Sequence, residues 1–358
     1  MVHDDRTDRR EGSVTRRRVL AAAGAATAGL MAGCSQLGIG GGGTDTDGGG
    51  SGMPTGSANP ADRMSAVPGR ANGLFYVDYQ QFRTDEDLQR LLDTGVQSGT
   101  GADGVEGALE SQDLQEIDTE QVYDMMVFTE VPEDDPMAGA SSYGGAVVWT
   151  GLESQVVIQG IQSAAETELT EETYSGQTLL VGSDSAMGVV RPGVYAVGTE
   201  QVVRDTIDVA TGDSQPVSGA VTDALAETTD APVQFAVDLP TGTFGGDGGG
   251  GTGAVQYTSE IDLLSGAMFY KTGGEVGFRL NGTMTSESVA SETEQVVGMF
   301  KQQYLSRAEQ QGSEELQRIL NNLQVSRSGA TVSVTYTDTV DNLIALSEGN
   351  VPMGGTGG

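Results

Sequence analysis

Hydrophobic spacing along the chain switches between a period of two and a period near 3.6, and each switch marks an element. Leu74-Phe75-Tyr76-Val77 is a short apolar run and predicts a buried strand. Thr84, followed by Asp85, Glu86 and Asp87, predicts an N-cap and an acidic first turn for a helix with Leu88, Leu91 and Leu92 on one face. Gly95 to Gly107 reads as a loop. Strands follow at 123–131 and 144–150, joined by Pro132 to Tyr143, and Glu153 to Leu169 predicts a helix directing Ile158, Ile161, Ala165 and Leu169 inward. Short strands are expected at 177–181, 187–191 and 194–197, the last two turning at Pro192-Gly193. Thr199 then caps a helix running through Val203 and Ile207 to Gly212.

A similar order recurs after Pro232. Phe235-Ala236-Val237-Asp238 echoes Phe75-Tyr76-Val77-Asp78, and strands at 266–271 and 275–284 flank Gly273-Gly274, a hairpin signal. Ser286 caps a long helix whose apolar face is Val289, Val296, Val297, Phe300 and Tyr304, and a second helix from Ser313 carries Leu316, Ile319, Leu320 and Leu323. A strand pair at 325–327 and 331–336 turns at Ser328-Gly329, and a last helix carries Val340, Leu343 and Ile344. Each half therefore reads as strand, two strands, helix, strand hairpin, helix. This predicts an α+β protein of two diverged repeats, 70–230 and 231–350, followed by a tail at 351–358. Hairpin-linked strands favour antiparallel sheets, here expected with helices packed on one face.

Ahead of residue 70 the pattern is of another kind. Thr15-Arg16-Arg17-Arg18 leads into a charge-free stretch from Val19 to Gly33 that ends in Met31-Ala32-Gly33-Cys34. That stretch falls short of the ~20 apolar residues a membrane-spanning helix needs, and the layout is that of a signal peptide. Thr15 to Leu20 resembles the core of a twin-arginine signal, and Met31 to Cys34 resembles a lipobox, with Met31 where that family usually has Leu. The resemblance implies recognition through Arg16 and Arg17, export of a folded chain, removal of residues 1–33 and lipidation of Cys34. It places the protein on the extracytoplasmic face of the cell membrane. Residues 34–58 are rich in Gly, Thr, Ser and Asp and cannot bury enough apolar surface to offset their chain entropy. They read as a flexible tether with a reach of about 25–30 Å.

Charge narrows the partners. The 358 residues include 51 Asp plus Glu and 18 Lys plus Arg; beyond residue 34 there remain 47 acids and 12 bases, of which only Lys271 and Lys301 are lysines. A surface of that sign repels phosphate backbones and anionic headgroups, so nucleic acid is excluded as a partner, and attachment to the membrane rests on the lipid alone. Its self-repulsion is screened when the Debye length falls to about 3 Å, near 1 M salt. Acidic excess, scarcity of lysine and the signal together resemble the exported lipoproteins of halophilic archaea, a resemblance that brings no activity with it.

The chemistry available is correspondingly small. His3 and Cys34 are the only histidine and cysteine, so the body holds no imidazole and no free thiol, which excludes His-dependent triads, cysteine nucleophiles and zinc sites built from these ligands. No nucleotide-binding or serine-hydrolase motif occurs, and no cofactor is implied. The acidic stretches Asp45-Thr46-Asp47-Gly48 and Glu133-Asp134-Asp135 read as solvated loops without a metal, and Gly245 to Gly253 as a flexible loop. Asn281-Gly282-Thr283 is a glycosylation sequon in a strand that should direct Asn281 outward; Tyr143 and Trp149 are expected in the core. The functional expectation is a non-enzymatic lipoprotein that binds or scaffolds an envelope protein or a small solute. The two-lobed solute receptor of an importer is the alternative, and a carboxylate-dependent hydrolase comes third.

Overall fold

A computed structural model describes residues 60–100, 119–132, 143–165, 169–228, 231–240, 260–271 and 274–347. Its strands are β1 (Gly73–Asp78), β2 (Val122–Thr129), β3 (Gly144–Thr150), β4 (Thr170–Tyr174), β5 (Gln177–Val181), β6 (Ala186–Arg191), β7 (Val194–Gly198), β8 (Val233–Asp238), β9 (Ile261–Lys271), β10 (Glu275–Met284), β11 (Leu323–Ser328) and β12 (Thr331–Thr339). They form one 12-stranded sheet in the order β11-β12-β10-β9-β8-β1-β2-β3-β7-β6-β5-β4. Every neighbouring pair is antiparallel, as the hairpin signals require. The two halves meet at β1 and β8, where Phe75 lies opposite Phe235. From that central pair outward the connectivity is the same in both halves: first, second and third strands, then the closing hairpin entered from its last strand. The first half adds the hairpin β4–β5 at its outer edge.

Alternation along the strands defines two faces. On the front, Leu74 and Tyr76 of β1, Met126 and Phe128 of β2, and Val147 and Trp149 of β3 pack with Val202, Val203 and Ile207 and with Val221, Ala224 and Leu225. Those partners belong to α5 (Glu200–Thr211) and α6 (Ala220–Ala226), and Met64 of α1 (Pro60–Met64) joins them. On the back, Phe75 and Val77 pack with Phe82 of α2 (Tyr79–Thr84), Leu88 and Leu92 of α3 (Glu86–Thr100), and Val340 and Leu343 of α9 (Val340–Ser347). The back is continued by Val157 of α4 (Ser154–Ala164) against Leu180, Met187 and Tyr195. At the other end Ala290 of α7 (Glu287–Gln311) meets Met284 and Val332, and Ile319 of α8 (Glu314–Asn322) adds to the packing under Tyr336. The α+β class and antiparallel pairing thus hold, but the helices cover both faces and not one. The cause is visible in β1, whose six residues are all buried and leave neither side for water.

Several boundaries move. Residues 95–100, expected in a loop, continue α3, and the helix expected to reach Leu169 stops at Ala164 before β4. Asp85, not Thr84, caps α3: its Oδ1 accepts from the backbone N–H groups of Asp87 and Leu88 at 3.0 and 3.2 Å. Leu323 leaves the face of α8 to begin β11, and β9 starts at Ile261, five residues earlier than the pattern indicates.

Candidate functional site

Two places carry polar groups in an unusual setting. The first lies on the front of the sheet beneath α1. Asp78 and Asp124 face each other across β1 and β2. Arg63 from α1 reaches Asp124 Oδ2 with Nη2 at 2.6 Å, both side chains being 5% exposed or less. The guanidinium lies 4.7 Å from the centroid of Trp149, which is wholly buried, and also bonds Tyr76. Burial raises the Asp124 carboxyl to about 6, although Arg63 pulls the other way; the neighbouring Asp78 adds to the rise. Tyr76 is likewise pushed far above the usual phenol range, first by burial and then by Asp124 and Asp78. Asp78 is committed locally, accepting from Gln81 N and Gln81 Nε2 at 3.0 Å each as the N-cap of α2. The carboxyl pair that the fold does bring together is therefore buried and engaged. It fastens the short helix α1, and with it the start of the described chain, onto the centre of the sheet.

The second place is the front of the sheet beyond β8. Here α7, α8 and α9 all pack behind the strands, and α6 reaches no farther than β8 and β9. The local reason lies in the two helices that close the halves. The chain leaving β7 turns forward into α5, which settles in a trough where a Cβ on Gly188 would come 2.5 Å from Val203 Cγ1. The chain leaving β12 turns backward into α9, whose Val340 and Leu343 meet the apolar faces of α2 and α3. Beyond β9 no helix of the described residues lies on the front.

The face left without a described helix is laid out by register; Ser265, Ala267 and Gly277 on it are buried, the other residues of β10 and those of β12 half-buried and those of β11 exposed. Across β9, β10, β12 and β11 one row reads Ser265, Asn281, Ser333, Ser326 and the next Leu263, Thr283, Thr331, Ser328. On the other side come Ala267, Arg279, Thr335, Gln324, and then Phe269, Gly277, Thr337. Asn281 is held in place: Ser333 Oγ donates to its Oδ1 at 2.8 Å, and its Nδ2 lies 3.5 Å from Ser265 Oγ. Thr283 and Thr331 share a hydroxyl hydrogen bond of 3.2 Å. Phe269 lies flat across the strand beside it, because a Cβ at Gly277 would stand 1.9 Å from Phe269 Cζ; Lys271 Nζ is 5.4 Å from the ring centroid. Arg279 stands half-buried among these groups with no carboxylate or other side-chain partner among the described residues. The other half-buried or buried arginines are engaged: Arg63 with Asp124, Arg83 with the carbonyl of Val122, Arg204 with Glu172 and Glu200, Arg318 with Glu315 and Asp338.

Of the residues singled out from sequence, Arg16, Arg17, Cys34, the two acidic loops and the Gly245 to Gly253 run lie outside the described residues. Asn281 does lie on an open face, yet its amide is tied into the cross-strand ladder. Tyr143 and Trp149 are in the core, and each carries an arginine over its ring, Arg70 at 4.5 Å from the Tyr143 centroid. Among the described residues no group of His, Cys, Asp or Glu is placed to hold a metal, and no helix is long and apolar enough to cross a membrane. Sequence reasoning puts Arg279 on the same side of its strand as Asn281 and Thr283 but does not single it out as a site residue. The available signal was the alternation of Thr331, Ser333, Thr335 and Thr337 in β12, polar at every second position.

No protein-family model and no curated protein matches the chain. Among solved structures it is similar to TP0453 in three crystal forms. Form III gives a TM-score of 0.46 at 9% identity, covering 80% of this chain and 97% of that one. Form I gives 0.44 at 7% identity over 82% and 98%, and form IV 0.44 at 6% over 79% and 95%. Likeness at that level supports no argument about shared chemistry.

Proposed function

We propose that the chain is a lipid-anchored, non-enzymatic binding protein of the outer face of the cell membrane, and that the open front of β9, β10, β12 and β11 is its binding surface. Export is attributed to Arg16 and Arg17, and attachment to Cys34 through the tether. The observation that carries the reading is the contrast between the halves: helices cover both faces of the first, whereas the second presents a hydroxyl- and amide-lined face around a guanidinium without a carboxylate partner among the described residues. An antiparallel sheet tolerates one solvated face. A half-buried arginine with no partner among the described residues of so acidic a chain calls for a further reason.

The importer-receptor alternative is less well supported, since hinge closure between lobes needs two bodies and here the first strands of the two halves are hydrogen-bonded neighbours. The buried state of Asp78 and Asp124 gives a carboxylate hydrolase no support. The shared connectivity favours descent of the halves from one duplicated α+β unit.

The binding surface is tested by placing a photoreactive side chain at Ser326 or at Thr335 of the full chain on intact envelopes in multimolar salt. Glu171, on the opposite edge strand β4, is the control position. Adducts at the first two positions but not at Glu171, resolved by mass spectrometry as polypeptide or carbohydrate, are the expected result. Equal labelling at all three positions, or none, overturns the assignment of this face.

A further inference from the structure

We infer that the ligand of this face is an acidic carbohydrate, a chain of uronic-acid residues whose carboxylate is held by Arg279. The inference rests on the binding-surface reading above and names its ligand. A guanidinium is a planar fork of donors that fits a carboxylate with two parallel hydrogen bonds, and its strength depends on contact geometry more than on long-range field. That distinction matters here, because a chain with 47 acids and 12 bases after residue 34 repels anions at a distance, while in multimolar salt the Debye length of ~3 Å or less leaves only contact interactions.

The groups around Arg279 match the rest of such a ligand. Thr335 lies directly opposite it on β12, and Asn281 and Ser333 occupy the next row, so hydroxyl and amide groups that both donate and accept flank the guanidinium. Sugar hydroxyls have the same dual character. On the other side Phe269 lies flat over Gly277, one row from Arg279, and offers an apolar platform for the C–H face of a ring. A protein partner calls for an apolar centre on this surface, whereas its middle, at Asn281, Ser333 and Thr335, is polar and its apolar groups, Leu263, Ala267 and Phe269, are confined to β9. Phosphate chains of nucleic acid are opposed by the acidic surroundings, and the second cation on this face, Lys271, already lies 4.0 Å from Glu275.

Isothermal titration calorimetry of the full chain at about 2 M KCl tests this with three probes of one length: an oligogalacturonate hexamer, maltohexaose and sulfated maltohexaose. Binding of the oligogalacturonate is expected, with maltohexaose and its sulfate at least about tenfold weaker. Arg279→Gln should weaken oligogalacturonate binding at least about tenfold, and Arg279→Lys should recover only part of it, since an ammonium lacks the planar fork. Arg279 has no ion pair to lose among the described residues, so both variants should retain the parent melting temperature; an unchanged melt with unchanged affinity sinks the assignment. So does equal affinity for the neutral hexamer, preference for the sulfate, or no heat with any probe. The two readings fail separately. Photoadducts at Ser326 without oligogalacturonate binding overturn the acidic-sugar assignment alone, whereas loss of both removes the binding face itself.

Discussion

Asp124 shows how much a single buried carboxyl commits. Its only ionic partner among the described residues is Arg63, and Oδ1 of Asp124 and Nε of Arg63 find no hydrogen bond there. Removing the cation of such a pair leaves the carboxylate in a dry site without its partner, so Arg63→Met is expected to destabilise by about 3–5 kcal/mol in a denaturation at neutral pH and fixed salt. Replacing both, as Arg63→Met with Asp124→Leu, should recover most of that loss, because an apolar pair of similar volume avoids the desolvation of two ions. The pH dependence has a defined sign. A folded pKa of about 6 stands above the ordinary 3.8, so between these values the folded state holds the proton more tightly than the unfolded one. The stabilisation from this group is complete below about pH 4 and is lost as pH rises through 6. The difference in stability between the parent and Asp124→Asn should therefore change over pH 4–6 and level off above it; a parallel pair of curves through that window would contradict the assignment. None of this was legible in the sequence, where Asp78 and Asp124 are two acids among 51. Trp149 was legible, because an indole that follows Ala146, Val147 and Val148 in a strand has little choice but the core.

At the level of elements, close approach explains glycines that the sequence leaves mute. Gly145 and Gly198 are cross-strand partners, and a Cβ on either would come within 3 Å of Val202 Cγ1; Gly188 stands next to them under Val203 and Ile207. Together they let α5 sink against β3, β6 and β7. Gly188→Val should push the helix outward and destabilise by about 1–3 kcal/mol, with the loss read from the denaturant midpoint. The long helices were predictable because Ser286 and Ser313 cap them as expected, their hydroxyls accepting from Val289 N and Leu316 N. Which side chains of α7 are buried was not: Tyr304, placed inward by its spacing, is half exposed, and the deeply buried residues are Ala290 and Ala308. Periodicity ranks positions by apolarity, and small residues at the contact are invisible to it. The edge strand β4, Thr-Glu-Glu-Thr-Tyr, escaped notice because an exposed strand carries no apolar alternation. Its two glutamates also discourage another chain from pairing there.

For the molecule as a whole, the excess of 51 acids over 18 bases is expected to oppose the compact sheet at low salt. Transfer from about 2 M to about 0.1 M KCl lengthens the Debye screening distance to ~10 Å and should unfold the protein, with circular dichroism returning when salt is restored. Retention of the full signal at low salt would mean that packing alone outweighs the repulsion. The sheet order itself was only partly readable: the recurrence of Phe-x-Val-Asp marked where each half begins, but no pattern within a strand says that the two beginnings are neighbours. That adjacency has a consequence for synthesis. β1 is made early, buried on both faces, and must wait 160 residues for Phe235 to arrive opposite Phe75. Until then the nascent first half carries a naked apolar edge at the place where the finished protein is best protected. A fragment ending at residue 230 should therefore seek a substitute, and antiparallel pairing of two copies about Phe75 would provide one. Sedimentation of that fragment in multimolar salt should show a dimer or larger species, and a well-folded monomer would argue that the centre of the sheet can close without its second half.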